Sequence, residues 1–154
     1  MRNYKYKNTH SDNGDFSCRI NKELNAKLSV YCEALDVNRT SVVNAIMAGE
    51  MLEEFDSIRK PETHYECAMP LINLTHMKKS TGYRDVISED GTFSCHIDKI
   101  LNHFLTSFCM INGFNKTHYV HEIVDGVIEE RMKDIGEQGY DFYIKALKCK
   151  LKGE

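Results

Sequence analysis

The chain has no apolar run longer than a few residues, and its opening, MRNYKYKNTH, has no apolar core. Neither a membrane span nor a secretory signal is therefore expected, and the cytoplasm is the expected compartment. With only two prolines and nine glycines in 154 residues, and 42% hydrophobic residues, collagen-like, low-complexity and disordered classes are excluded. No nucleophile with a base, no pair of catalytic carboxylates and no glycine-rich phosphate loop stands out, so neither an enzyme nor a cofactor is expected. His118 and His121 are three apart, as are His64 and Cys67, yet neither pair completes four metal ligands. Without an export signal, Cys18, Cys32, Cys67, Cys95, Cys109 and Cys149 read as thiols and not as a disulfide framework. A basic surplus is missing too: the net charge of −3 at first argues against a nucleic-acid partner.

What the chain does have is an internal repeat. At an offset of 77 residues, SDNGDFSCRINKELNAKLSVYC from Ser11 lies over SEDGTFSCHIDKILNHFLTSFC from Ser88 without a gap. Residues 11–58 and 88–135 share 18 identities over 48 positions, among them Phe16/Phe93, Cys18/Cys95, Leu28/Leu105, Asn38/Asn115 and Gly49/Gly126. The same pattern continues through unlike residues at Tyr31/Phe108 and Arg39/Lys116, so the repeating object is a folding unit.

Each unit reads as a strand and two helices. From Asp15 to Ile20 apolar and polar residues alternate, which puts Phe16, Cys18 and Ile20 on a buried face, with Phe16 as an aromatic anchor. Leu24, Leu28, Tyr31, Cys32 and Leu35 recur at helical spacing, and after a break a second helix carries Val43, Ile46, Met47 and Phe55. Asn38 and Asn115 are suited to cap the second helices, and Gly113 to end the helix before one of them. One strand and a core this small cannot stand alone, so the two units are expected to pair their strands antiparallel. The expected organisation is a basic arm over 1–10, repeats over 11–58 and 88–135, a linker over 59–87 with Pro61, Pro70 and a segment able to pack, MPLINL, and a C-terminal helix over 136–154. That last helix has an apolar face and a lysine face, suited to core packing or self-association first and to contact with DNA as a further alternative.

FSCRINKEL followed by a helix, DVNRTS and a second helix, together with FSCHIDKIL and GFNKTH, resembles the ribbon-helix-helix DNA-binding proteins. The resemblance covers both repeats, about two-thirds of the chain. It implies a mainly α fold with a two-stranded antiparallel β-ribbon, built as a tandem pseudo-dimer in one chain as in TraY-type conjugation proteins. Asn21 and Asp98 stand where many relatives place proline. The implied function is sequence-specific binding of double-stranded DNA through the ribbon, as a transcriptional repressor. Alternatives are a protein-binding inhibitor or antitoxin-like module on the same scaffold, or an accessory protein of a conjugative origin.

The resemblance makes Asp15, Ser17, Arg19, Thr92, Ser94 and His96 the residues facing bases in the major groove. Arginine is the usual bidentate partner of guanine, serine is tolerant and histidine donates or accepts one bond, whereas Asp15 repels phosphate. Asn38, Arg39 and Thr40, with Asn115, Lys116 and Thr117, are the expected phosphate clamps, since each triplet opens a helix with unpaired N–H groups and a cation. The same triplets match a glycosylation sequon, which is set aside without export. The acidity is then a matter of placement: Glu50, Glu53, Glu54, Asp56, Glu129, Glu130 and Asp134 lie late in the second helices, remote from the ribbon in that fold. The expected partners are double-stranded DNA and further copies of the chain, with a protein partner open and no membrane.

Overall fold

The computed structural model describes residues 16–56, 71–75 and 91–152. The expected basic arm, Asp15, His64, Cys67 and most of the linker lie outside the described residues, as does the side chain of Phe55. The chain is mainly helical with one two-stranded antiparallel sheet among the described residues. Its elements are β1 (Phe16–Ile20), α1 (Lys22–Leu35), α2 (Arg39–Asp56), a single turn α3 over 71–74, β2 (Phe93–Ile97), α4 (Lys99–Asn112), α5 (Lys116–Asp134) and α6 (Glu137–Leu151). None of these helices is long and apolar enough to cross a membrane.

The strand alternation decides which residues enter the core. Phe16 pairs with Ile97, Ser17 with His96, Cys18 with Cys95, Arg19 with Ser94 and Ile20 with Phe93. Cys18, Ile20, Phe93, Cys95 and Ile97 are buried beneath the sheet, while Ser17, Arg19, Ser94 and His96 are exposed on its other face. The two phenylalanines differ in depth: Phe93 is 2% exposed, but Phe16 is only half-buried, so the deeper anchor is on β2.

The strand-to-helix junctions use the residues that replace proline. Asn21 Oδ1 accepts the N–H of Leu24 at 2.9 Å, and Asp98 Oδ1 accepts those of Ile100 at 2.9 Å and Leu101 at 3.3 Å, so both act as N-caps. At the other end of α1 and α4 the chain turns through a left-handed residue, Asp36 (φ 58°) and Gly113 (φ 71°), whose N–H groups bond Cys32 O and Cys109 O. Leu35, expected on the apolar face of α1, is instead 46% exposed, because it is the last helical residue before that turn.

Leu24, Leu28, Cys32, Val43, Met47 and Met51 meet Leu101, Leu105, Cys109, Val120, Val124 and Ile128 in one core. Leu71 of α3 is buried in it, so the described part of MPLINL does pack. The C-terminal helix closes the core with Tyr143 and Leu147. It is also held by a polar network, in which Glu129 of α5 accepts the hydroxyls of Tyr140 (2.9 Å) and Tyr143 (3.2 Å) and pairs with Lys27 of α1 at 3.0 Å. Lys27 also reaches Asp125 at 2.6 Å, and Lys150 of α6 reaches Glu33 of α1 at 2.7 Å.

One buried side chain ties α2 to the end of β2. Asn44 is 6% exposed; its amide donates to Thr40 O and His96 O, both at 2.9 Å, and its Oδ1 accepts the N–H of Asp98 at 2.8 Å. Asn44→Ala leaves that N–H and the His96 carbonyl without this partner. The substitution is expected to lower unfolding free energy by about 1–3 kcal/mol, measured by urea titration. A loss of only a few tenths would show that the tie is not needed.

Candidate nucleic-acid interface

The outer face of the ribbon carries two cross-strand pairs, Ser17 opposite His96 and Arg19 opposite Ser94, all four exposed. Opposed side chains on such a ladder sit about 5 Å apart and alternate residues of one strand about 7 Å apart. The four tips therefore form one small polar patch, which a major groove roughly 12 Å wide admits. Thr92 lies half-buried just before β2, and Asp15 is outside the described residues. Of the six expected base-facing residues, the sheet thus brings four together.

The starts of the second helices lie against the ribbon in a crossed arrangement, α2 against β2 and α5 against β1. Asn38 caps α2 by accepting the N–H of Ser41 at 2.7 Å, and Asn115 caps α5 by accepting that of His118 at 3.0 Å. Thr40 and Thr117 are half-buried beside them.

The two cations turn inward. Arg39 is half-buried, donates from Nη2 to Ser29 Oγ at 2.8 Å and lies 5.7 Å from the ring centroid of Phe93. Lys116 is 1% exposed; its ammonium donates to Asn102 Oδ1 at 2.9 Å and Thr106 Oγ1 at 3.1 Å and sits 4.1 Å from the ring centroid of Phe16. The expectation that Lys116 clamps a phosphate is corrected on this point, since its charged end is enclosed beneath β1. Burial pushes the Lys116 ammonium down to about 8, and it pushes the thiols of Cys18 and Cys109 up to about 12. What the α5 start leaves for an anion is the first-turn backbone N–H groups that Asn115 does not engage.

Crossed packing also explains Asn44, which the sequence reading passed over, and His121, which it weighed only as a metal ligand. His121 occupies the place in α5 that Asn44 occupies in α2, 77 residues on. Its Nε2 accepts the N–H of Asn21 at 3.0 Å, and its Nδ1 lies 2.8 Å from Thr117 O. An acceptor role for Nε2 assigns the proton to Nδ1, which donates to that carbonyl. An amide and an imidazole thus do the same work, each holding the N–H that follows the other repeat's strand. The signal available in the sequence was a polar residue at the same repeat position amid apolar neighbours, Val43 and Val120.

Among the described residues no group of three or more histidine, cysteine or acidic side chains could hold a metal ion. His118 instead pairs with Glu122 on the surface at 2.7 Å. Cys18, Cys32, Cys95, Cys109 and Cys149 are free thiols. Compared with known proteins, the chain matches no protein-family model, no curated protein and no solved structure.

Proposed function

We propose that this chain is a single-chain ribbon-helix-helix pseudo-dimer that binds specific double-stranded DNA and represses transcription in the cytoplasm by occupying its site. The observation that carries this reading is the two-stranded ribbon: equivalent residues pair at its centre, Cys18 with Cys95, and Ser17, Arg19, Ser94 and His96 are exposed together on the outer face. The crossed contacts of α2 with β2 and α5 with β1 support the pseudo-dimer. A homodimeric ribbon favours a palindrome, whereas these two strands offer different residues, Ser17 and Arg19 against Ser94 and His96, and so favour a non-palindromic core.

Selection of bound fragments from a random double-stranded pool, at low salt, tests the reading. Enrichment of one asymmetric core is the expected result. No enrichment would transfer the scaffold to a protein-binding role, for which the exposed Met110, Ile111 and Phe114 offer an apolar surface. On the selected site, Arg19→Ala is expected to weaken binding by about 1–3 kcal/mol and relax preference at one position, with the fold left intact. Unaltered affinity and preference would remove Arg19 from the base-facing set.

A further inference from the structure

In a chain of net charge −3, the end of α6 and its C-cap residue carry four lysines, Lys145, Lys148, Lys150 and Lys152, with no acid between them. Lys145, Lys148 and Lys152 recur at i, i+3 and i+7, on one exposed face opposite the packed Tyr143 and Leu147. No hydrogen bond or ion pair within the described residues engages these three ammonium groups. Lys150 is on the other side and is bound to Glu33, the acid that α1 presents there.

The direction of α6 is set at both ends. Near its start, Tyr140 and Tyr143 meet Glu129, which also holds Lys27 in the middle of α1; near its end, Lys150 meets Glu33, three residues before the turn at Asp36. The helix therefore runs alongside α1 toward the capped start of α2, one of the two expected phosphate-facing edges. The matching edge of the second repeat is unlike it. There the equivalents of Glu33, Ala34 and Val37 are Met110, Ile111 and Phe114, which are 65%, 82% and 41% exposed.

Resting on the DNA-binding reading above, we propose that α6 lays Lys145, Lys148 and Lys152 along the DNA backbone next to the α2 start, extending the protein–DNA interface on that flank alone. Charge complementarity selects the occupant: three outward ammonium groups on a helix that ends near the last turn of α1 suit a row of phosphates. Cations in a last helical turn also favour the helix dipole, but that role acts on stability and not on salt dependence.

The test uses the full chain, the DNA fragment selected above and the triple variant Lys145→Gln/Lys148→Gln/Lys152→Gln. The slope of log K against log salt is expected to become shallower by about 2–3, at roughly 0.9 for each phosphate that the variant no longer neutralises. Hydroxyl-radical protection is expected to shrink on one flank, with base preference retained. The corresponding triple arginine variant, which keeps the charge, is expected to keep the wild-type slope; this control separates removal of charge from a damaged helix. An unchanged slope and footprint overturns the proposal, as does shrinkage on both flanks. If the wild type itself selects no DNA, the functional reading fails and this inference falls with it; if the wild type binds and the variant matches it, this inference alone fails.

Discussion

Phe93→Ala is expected to cost about 3–5 kcal/mol of folding stability, the range for deleting a buried aromatic side chain. The ring is 2% exposed, it lies beneath β2, and the Arg39 guanidinium rests 5.7 Å from its centroid. Truncation would open a cavity and also remove the aromatic face against which the guanidinium lies. Phe16→Ala, at the identical repeat position but half-buried, is expected to cost less. Denaturant midpoints of the two variants measured side by side check both statements. Equal losses would mean that the two ends of the ribbon are anchored alike, and a loss for Phe93→Ala below about 1 kcal/mol would remove it as an anchor.

Raising the pH from about 7 to 10.5 is expected to favour the wild type over Lys116→Met by about 3 kcal/mol. Burial holds the folded Lys116 ammonium down at about 8, against 10.5 for an ordinary lysine. Between those values the unfolded chain binds the proton that the folded chain has released, so stability from this group rises with pH across the window and is constant below it. The thiols of Cys18 and Cys109 act in the opposite direction: pushed up to about 12, they keep protons that unfolded cysteine gives up near 9, and so erode stability above that point. The wild-type curve alone therefore mixes two trends, and because the Lys116 charge also lowers both thiols, the difference between wild type and variant reports the lysine most directly below pH 9.0, before unfolded cysteine titrates. Parallel curves for the two proteins would show that the buried amine titrates as it does in the unfolded chain.

The legible part of this fold was its periodicity. Alternation in FSCRI and FSCHI predicts which side chains face inward, and the helical spacing of Leu24, Leu28 and Cys32 predicts a buried stripe; both agree with the burial observed. Asn38, Asn115 and Gly113 were readable because capping and chain reversal depend on local chemistry. Identity of residue did not reveal depth: Phe16 and Phe93 read alike, yet one is half-buried and the other enclosed. Nor did the charge of Lys116 reveal its direction, because a long stem on a helix start can point to solvent or fold beneath a strand, and only the ring of Phe16 and the oxygens of Asn102 and Thr106 decide it. The roles of Asn44 and His121 depend on the crossing of α2 and α5 beneath opposite strands, a long-range fact of which the sequence shows only a polar residue at the same repeat position.

The central pairing of Cys18 with Cys95 has a consequence for synthesis. The partner of β1 is 77 residues downstream. At a translation rate of about 5–20 residues per second, the first strand emerges roughly 4–15 s before its partner strand in the same chain. During that interval a neighbouring polypeptide on the same message offers an equivalent second strand, and exchange of repeats between two such chains would keep every ribbon contact intact. Fidelity of assembly in this protein is therefore a race between intramolecular closure and the spacing of ribosomes. Slowing elongation over the stretch between the repeats should raise the yield of exchanged dimers without altering a single residue.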